Sequence, residues 1–213
     1  MTDIAIVDYG MGNLHSVSKA LEHVAPNASV VITSDPAVVR KAARVVFPGQ
    51  GAMPNCIREL DVRGLRSAVM EAAANKPFLG ICIGLQMLFE MSEEGNVSGL
   101  GIMSGKVTRF PALTMKDDSG RKLKVPHMGW NQVHQATEHP MWADIANDTR
   151  FYFVHSYFVE AANLEAITAY SYYSFPFVCA VAKDNIFAVQ FHPEKSQAAG
   201  LTLLNNFVHW EPN

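Results

Sequence analysis

Short apolar runs alternate with amphipathic stretches along the first hundred residues. Runs rich in β-branched side chains predict strands, and apolar residues that recur every three or four positions predict helices. The predicted strands cover residues 4–8, 29–32, 44–47 and 77–82, and the predicted helices cover residues 14–24, a short stretch from 35, 57–72 and 85–90. This βαβα order predicts an α/β fold, with a mostly parallel central sheet flanked by helices.

The pattern changes after about residue 100, where short strands follow one another with turn residues between them. The predicted strands cover residues 107–110, 122–125, 151–154, 166–170, 177–181 and 186–190, and residues 116–121 predict a hairpin-type loop. An amphipathic helix is predicted from about Gln197 to Trp210. No repeat, linker or low-complexity tract interrupts the pattern. We therefore expect residues 1–213 to form one domain, in which an antiparallel elaboration extends the parallel sheet.

The composition narrows the class of protein. The chain is 49% hydrophobic and 17% charged, which is typical of a globular domain with an ample core. A net charge of -3 without runs of lysine or arginine argues against nucleic acid or an anionic membrane as a partner. Three cysteines without C-x-x-C spacing argue against a disulfide framework or a zinc site, so we expect no metal and no cofactor. Without a leader pattern or a membrane-length apolar stretch, we expect a cytoplasmic protein.

The strongest chemical signal is Cys82, which stands between Gly80 and Gly84 where a predicted strand gives way to a predicted helix. This is the cysteine form of a nucleophile elbow, in which glycines let a sharp turn lift the nucleophile above the sheet. The start of a helix also favours the thiolate. Far downstream, His192 and Glu194 flank a proline at the end of a strand that looks fully buried. A cysteine nucleophile, a histidine base and a carboxylate that orients the base together predict covalent catalysis.

Two neighbouring segments could assist an attack on a carbonyl group. The glycines of Gly49-Gln50-Gly51 free backbone N–H groups to face a developing oxyanion, opposite the N–H of Ile83. The same segment could also be a plain turn between a strand and a helix. Gln86 lies one turn beyond the cysteine, where its amide could bind an amide or carboxylate substrate or serve only as a helix residue.

Together these motifs resemble the class I glutamine amidotransferases, and the resemblance covers nearly the whole chain. The shared motifs are Gly80-Ile-Cys-Ile-Gly-Leu-Gln86, Pro48-Gly-Gln-Gly51 and His192-Pro-Glu194. Three more segments are similar to those of the glutaminase subunits of imidazole glycerol phosphate synthase: Asp8-Tyr-Gly-Met-Gly-Asn13, Pro126-His-Met-Gly-Trp-Asn131 and His192-Pro-Glu-Lys-Ser196. The resemblance implies the flavodoxin-like fold of that class.

The resemblance also implies a role for each residue of the site. Cys82 would attack the side-chain amide of glutamine, form a glutamyl thioester and release ammonia. His192 would carry the protons, and Glu194 would orient the imidazole. The residues implied for the oxyanion hole are Gly49, Gln50, Gly51 and Ile83, and those implied for glutamine binding are Gln86, His155, Ser156 and Tyr157. Residues 155–157 could also be only the polar end of a strand.

A partner follows from the same resemblance, namely a cyclase subunit built as a (β/α)8 barrel that would form a heterodimer with this chain. Ammonia would pass to the barrel without meeting solvent. There it would be added to a phosphoribulosyl-formimino nucleotide, giving imidazole glycerol phosphate and an aminoimidazole carboxamide ribonucleotide in histidine biosynthesis. Trp130, Asn131 and Lys195 would face the barrel, although Trp130 could also be a core residue. Glutaminase activity would stay low until the partner and its nucleotide bind, because the family's Pro-Gly-x-Gly segment is described as needing a backbone change.

Two departures from the family pattern and three rival functions stay open at this point. Ile83 and Leu85 replace a leucine and a methionine with little change in volume, whereas His15 replaces an arginine or lysine and leaves an anion contact there in doubt. One rival is another amidotransferase of the same class, serving for example anthranilate or guanylate synthesis. The others are a stand-alone cysteine hydrolase, such as a peptidase or γ-glutamyl hydrolase, and a scaffold protein without chemistry.

Overall fold

A computed structural model describes residues 3–117 and 119–212. Its strands are β1 Ile4–Val7, β2 Val30–Thr33, β3 Arg44–Gly49, β4 Phe78–Cys82, β5 Phe89–Ser92, β6 Val97–Ser98, β7 Met103–Arg109, β8 His127–Gln132, β9 His134–Gln135, β10 Arg150–His155, β11 Tyr157–Ala161, β12 Ile167–Tyr172, β13 Pro176–Lys183 and β14 Ile186–Val189. Its helices are α1 Leu14–Val24, α2 Pro36–Lys41, α3 Met53–Val62, α4 Arg66–Asn75, α5 Ile83–Met87 and α6 Gln197–His209. One position of the predicted 116–121 loop, residue 118, and the ends of the predicted 1–213 domain lie outside the described residues.

Twelve of these strands form one sheet, whose first five strands, in the order β2-β1-β3-β4-β14, are all parallel. The sheet continues antiparallel through β13, β11 and β7, and ends with β5 and β6. Strands β8 and β10 form a separate antiparallel pair. The predicted α/β fold, with a parallel centre and an antiparallel elaboration, is confirmed.

The parallel strands occupy the centre of the core. Every residue of β1, β4 and β14 is buried, as expected for strands covered by helices on both faces. Helix α1 packs against α6 and helix α2 against α4. The carboxyl ends of β3, β4 and β14 therefore lie side by side at one edge of the sheet, which is where ligands bind in open α/β folds. In the part of the chain that the structure describes, no helix is long and apolar enough to cross a bilayer.

The single helix predicted over residues 57–72 is wrong, because the structure has two helices there, α3 and α4. The chain turns between them at Gly64, whose φ is +66°. The Gly64 N–H donates to the carbonyl of Asp61, closing the end of α3. Leu60 and Leu65, on either side of the break, are both fully buried. The apolar stripe is therefore continuous in sequence because both helices contact the same core.

Two other element predictions are also wrong. Among the described residues, 122–125 form only an isolated bridge between Lys122 and Lys116, because the segment lies at the surface with no neighbouring strand to extend the pairing. The helix predicted over 85–90 ends at Met87, and the chain enters β5, where the ladder to β7 replaces helical hydrogen bonds. The other predicted strands and the closing helix are confirmed with small shifts at their ends.

Candidate active site

Cys82 occupies the sharp turn that its flanking glycines predicted. Its φ of 56° and ψ of -109° are uncommon for a residue with a side chain and cost about 1–3 kcal/mol. A Cβ atom at Gly84 would lie 1.8 Å from the carbonyl oxygen of Phe47, and one at Gly80 would lie 2.9 Å from the Cβ of Ala188. The adjacent strands β3 and β14 therefore leave room only for glycine on either side of the cysteine. The turn is a nucleophile elbow in its geometry.

His192 and Glu194 form a buried pair at the end of β14. His192 Nδ1 lies 2.8 Å from Glu194 Oε1, and both side chains are 2% exposed. A 3-10 turn, Pro193–Lys195, returns the carboxylate to the preceding imidazole. Because the Nδ1 proton is donated to the carboxylate, Nε2 of the neutral ring is free to accept a proton. Nε2 has no partner at hydrogen-bonding geometry among the described residues.

The charges around His192 favour its protonated form. Burial lowers the pKa of His192, but the Cys82 sulfur and then the Glu194 carboxylate raise the pKa more strongly, so the net pKa lies well above its usual range. An imidazolium at this position stabilises a thiolate in turn. His192 is therefore suited to accept and hold a proton beside the Cys82 sulfur at neutral pH.

A cavity of about 430 Å³ opens beside the nucleophile and contains most of the predicted site residues. Its lining includes Gln50, Gly51, Cys82, Ile83, Gln86, His155, Ser156, Tyr157, His192 and Lys195, together with Glu94, Pro126 and Val154. A cavity of this volume accommodates a small polar metabolite. Residues from positions 50 to 195 of the chain thus meet at the carboxyl edge of the parallel sheet.

The glycine-rich segment runs beside the elbow. Gly49 pairs in register with Cys82 across β3 and β4. The Tyr9 hydroxyl donates to the Pro48 carbonyl at 2.9 Å, and a Cβ atom at Gly49 would lie 2.0 Å from that hydroxyl oxygen. Ile83 begins α5, where N–H groups lack a partner within the helix. Two adjacent strand ends therefore bring the glycine-rich segment and the start of α5 next to Cys82.

Trp130 and Asn131 lie away from this cavity. They line a second, more open cavity of about 300 Å³ with Met128 and Tyr172. Trp130 is 44% exposed, so its interpretation as a core residue is wrong. Its ring meets the ring of Tyr152 edge to face at 6.2 Å between centroids.

Lys195 connects the two regions. It lines the active-site cavity, and its Nζ lies 5.9 Å from the centre of the Tyr152 ring, the same ring that Trp130 contacts. His15, where the family pattern has arginine or lysine, is exposed in the first turn of α1.

Two residues of the site were missed by sequence reasoning. Glu94 lines the cavity, and its carboxylate accepts a hydrogen bond from the Met53 N–H at 2.8 Å. Gln190 is fully buried, and its side-chain Nε2 lies 3.8 Å from Cys82 Sγ. A polar residue at the end of the buried run 186–190 was the available signal for Gln190. No sequence pattern around Glu94 indicated a place in the site, because its position at the cavity depends on how the chain folds back.

Comparisons with known proteins agree with this geometry. Residues 5–210 match the family described as Glutamine amidotransferase class-I. The imidazole glycerol phosphate synthase subunit HisH of Nitrosospira multiformis is 74% identical over all of both chains. The subunit of the same name from Thiobacillus denitrificans is 66% identical over 99% of this chain and 92% of its own.

Among solved structures, a glutamine amidotransferase from Thermotoga maritima matches with a TM-score of 0.61 at 15% identity, over 91% of this chain and 76% of that one. At that identity the likeness shows the fold alone. The assignment to a family rests on the family match and on the relatives that align over nearly their whole length. The chain therefore belongs to the class I glutamine amidotransferases and, within them, to the HisH glutaminase subunits of imidazole glycerol phosphate synthase.

Proposed function

We propose that residues 1–213 act as a single glutaminase domain, in which Cys82 attacks the side-chain amide of glutamine. The observation that carries this proposal is the strained elbow of Cys82, which lines one cavity together with His192, the imidazole that pairs with Glu194 behind it. The sulfur forms a glutamyl thioester as the carbon–nitrogen bond breaks and ammonia leaves. Water then hydrolyses the thioester to glutamate and restores the thiol.

His192 moves the protons in each step. Nε2 first takes the thiol proton and then gives it to the leaving ammonia, after which it takes a proton from the attacking water. Glu194 accepts the Nδ1–H throughout, which keeps the ring in the tautomer that presents Nε2 to the substrate. Backbone N–H groups of Gly49 to Gly51 and of Ile83 stabilise the oxyanion of the tetrahedral intermediate.

The polar lining of the cavity supports glutamine as the substrate. Both N–H donors of the Gln86 amide are engaged, by the Tyr157 carbonyl at 3.2 Å and by Gln190 Oε1 at 3.0 Å. Its own Oε1 is buried without a partner among the described residues. Because both donors are used within the protein, Gln86 has no N–H group left for the carboxylate of glutamine, and its contribution to the cavity is to shape the lining.

The two ends of the amino-acid portion of glutamine carry opposite charges. Glu94 presents a carboxylate to the cavity, which fits the α-ammonium group. Both ring nitrogens of His155 are engaged within the protein, so Ser156 and Tyr157 are left to meet the α-carboxylate. This assignment keeps the role that the family resemblance implies for Ser156 and Tyr157, and it gives His155 a role in positioning the Tyr157 carbonyl instead.

The exposed cavity around Trp130 and Asn131 supports a protein partner. Met128, Trp130 and Tyr172 expose 62%, 44% and 55% of their surfaces, and a cluster of large exposed apolar residues is typical of an interface. We assign this surface, with Lys195 behind it, to the cyclase subunit, a (β/α)8 barrel. Ammonia passes to the barrel, which makes imidazole glycerol phosphate and the aminoimidazole carboxamide ribonucleotide of histidine biosynthesis. The cytoplasmic location expected from the sequence stays a prediction.

Glutamate release from glutamine tests the proposal. The purified chain is assayed alone, with the barrel, and with the barrel plus its nucleotide substrate. The variant Cys82→Ala removes the nucleophile, and Cys179→Ala, which truncates a buried cysteine in β13, is the matched control. We expect low activity alone, a strong rise in the full mixture, complete loss in Cys82→Ala and retention in Cys179→Ala.

Two results would contradict the proposal in different ways. Full activity without the barrel would indicate a stand-alone cysteine hydrolase, and release of γ-linked peptides would support that rival. No activity under any condition would indicate a scaffold protein. The 74% and 66% identity to HisH subunits already disfavours an amidotransferase of anthranilate or guanylate synthesis.

A further inference from the structure

The sulfur of Cys82 has a second polar neighbour that the mechanism above does not use. Gln190 Nε2 lies 3.8 Å from Cys82 Sγ, and the Gln190 side chain is completely buried. The backbone N–H of Gln190 donates to the carbonyl of Cys179, which fixes the residue at the carboxyl end of β14. An amide buried this close to the sulfur stabilises the thiolate if its NH2 group faces the sulfur, and the neutral thiol if its oxygen does.

Hydrogen bonding determines which end of the Gln190 amide faces the sulfur. The Tyr157 carbonyl can only accept, so Gln86 must present its NH2 group there, at 3.2 Å. The second hydrogen of that NH2 group points at Gln190 Oε1, 3.0 Å away. The oxygen of Gln190 therefore faces Gln86, and its NH2 group faces Cys82. Reversing either amide would bring two acceptors or two donors together.

We propose that Gln190 is a catalytic residue, whose amide N–H donates to the sulfur of Cys82 and stabilises the thiolate, and that a chain of hydrogen bonds from Asn131 on the exposed face holds in place the Tyr157 carbonyl from which this amide is oriented. A donor aimed at the charged form of a group favours that form. This inference rests on the proposed glutaminase function, and it adds a second residue, besides His192, that acts on the sulfur of the nucleophile.

The outer part of the chain has equally fixed donors. His155 Nδ1 lies 2.7 Å from the Tyr157 carbonyl and must carry the hydrogen, so His155 Nε2 accepts from His127 Nδ1 at 2.9 Å. His127 Nε2 then accepts from Asn131 Nδ2 at 3.3 Å, and the same amide nitrogen donates to the Tyr172 carbonyl at 2.8 Å. From the Tyr157 carbonyl outward, each hydrogen bond therefore fixes the tautomer or amide orientation of the next residue, and together they hold the carbonyl in place.

Both rings are neutral, as this pattern requires. Burial lowers the pKa of His155 to about 3 and that of His127 to about 4. Besides His192, which pairs with Glu194, the charged groups Glu94 and Lys195 line the cavity of the sulfur, and two uncharged titratable groups, Tyr9 and Cys56, also lie near it. Burial raises the pKa of both of these, so they stay uncharged and do not compete with Gln190 for control of the thiolate.

Alkylation of Cys82 by iodoacetamide as a function of pH tests the inner link. The rate is followed by mass spectrometry of the Cys82 peptide in the free, intact chain. Gln190→Met removes the donor at similar volume, and we expect the pH midpoint to rise by about one unit. The control is Gln135→Met, which removes an amide that donates to the Ile145 carbonyl in another part of the fold. An unchanged midpoint in Gln190→Met would overturn the proposal.

A second variant keeps the test decisive if Gln190→Met does not fold. Gln190→Glu preserves the shape and the acceptor for Gln86, but it places an oxygen where the donor was. We expect a larger upward shift of the midpoint, because a carboxylate opposes the thiolate. A midpoint equal to that of the natural chain would again overturn the proposal.

The link to the surface is tested by His127→Phe. Phenylalanine retains ring packing on Phe153 and Tyr173, whose centroids lie 5.1 and 4.0 Å from that of His127, but it makes no hydrogen bond. We expect the midpoint of Cys82 alkylation to rise by about half a unit, and no shift would overturn the connection to Asn131. Alkylation needs neither glutamine nor the barrel, so these outcomes are separate from success or failure of the glutaminase assay.

Discussion

The imidazole Nδ1 of His192 lies 2.8 Å from Oε1 of Glu194, and both side chains are 2% exposed. A charged hydrogen bond that is screened from water orients its partners more strongly than one at the surface. The proline between the two residues begins the 3-10 turn that joins them. The imidazole and the carboxylate are therefore held together by a single turn.

Glu194→Gln should reduce kcat at least about 100-fold, because an amide can present its N–H to Nδ1 and select the wrong tautomer. Loss of the carboxylate also lowers the pKa of His192, so less Cys82 is thiolate at neutral pH. Glutamate release with the barrel and its nucleotide measures the first effect, and iodoacetamide alkylation measures the second. Glu160→Gln, which alters a surface pair with Lys106, is the control. Equal activity of the two variants would contradict the assigned role.

Gly84→Ala should destabilise the chain by more than about 3 kcal/mol or prevent folding, because its Cβ would lie 1.8 Å from the Phe47 carbonyl oxygen. Gly101→Ala is a suitable control, since nothing lies within 4 Å of a Cβ there and only the φ of +65° is unfavourable. That variant should lose about 1 kcal/mol. Urea denaturation followed by circular dichroism compares the two, and a similar loss in both would refute the close-approach argument.

The central sheet was predictable because its strands are short, fully apolar runs. Strand β8 was missed, because its outward-facing positions and Gly129 break the apolar pattern and its partner β10 lies about twenty residues away. The break at Gly64 was missed for the opposite reason, since apolar spacing continues across it. The local pattern of apolar and polar positions therefore identifies buried strands and helices well. A half-exposed strand can be recognised only when its neighbouring strands are known.

Stability should fall as the pH drops below about 6.5, in part because His127 is buried as a neutral ring. Burial lowers its pKa to about 4 in the folded chain, so the unfolded chain binds more protons between pH 6.5 and 4 and is favoured as pH falls. His127 alone should account for about 3 kcal/mol over this window. Urea unfolding of the natural chain and of His127→Phe, at several pH values, measures the difference.

The matching control for that experiment is Phe153→Leu, a change in a ring that stacks on His127 but does not titrate. This variant should lose stability equally at every pH. His127→Phe should instead show a shallower loss below pH 6.5 than the natural chain. Identical pH dependence in all three would mean that His127 is accessible to protons in the folded state.

If the cyclase subunit binds as proposed, Trp130→Ala should weaken its binding by about 30-fold, equivalent to about 2 kcal/mol, because exposed aromatic residues within a patch contribute most to interfaces. Leu164→Ala, which truncates a 74% exposed side chain elsewhere, should bind normally. Calorimetric titration measures both affinities. The rate of Cys82 alkylation in the free chain should be the same in both variants. Unchanged affinity in Trp130→Ala would place the interface elsewhere.

The sharp turn at Cys82 and the contact between His192 and Glu194 were predictable because each of these residues stands in a short motif with characteristic neighbours. The roles of Gln190 and His127 were not predictable. The contact of Gln190 with Cys82 spans 108 positions and that of His127 with His155 spans 28, so both depend on which strands lie next to each other. Trp130 was expected to face a partner from the family resemblance alone, because no local pattern distinguished it from a core tryptophan; its 44% exposure is observed, and its contact with a partner stays a prediction. Residues that hold a reactive group in place are thus harder to recognise than the reactive group itself.

The hydrogen-bond chain from Asn131 to Cys82 passes through the carbonyl of Tyr157, which receives a hydrogen from His155 on one side and from Gln86 on the other. A backbone carbonyl has no proton to hand on, so a proton entering at the outer end stops at this oxygen. The chain of hydrogen bonds can transmit a movement of atoms, but it cannot transfer a proton. Contact at the distant face can therefore reshape the surroundings of the sulfur while its protonation remains under the control of His192 and Gln190.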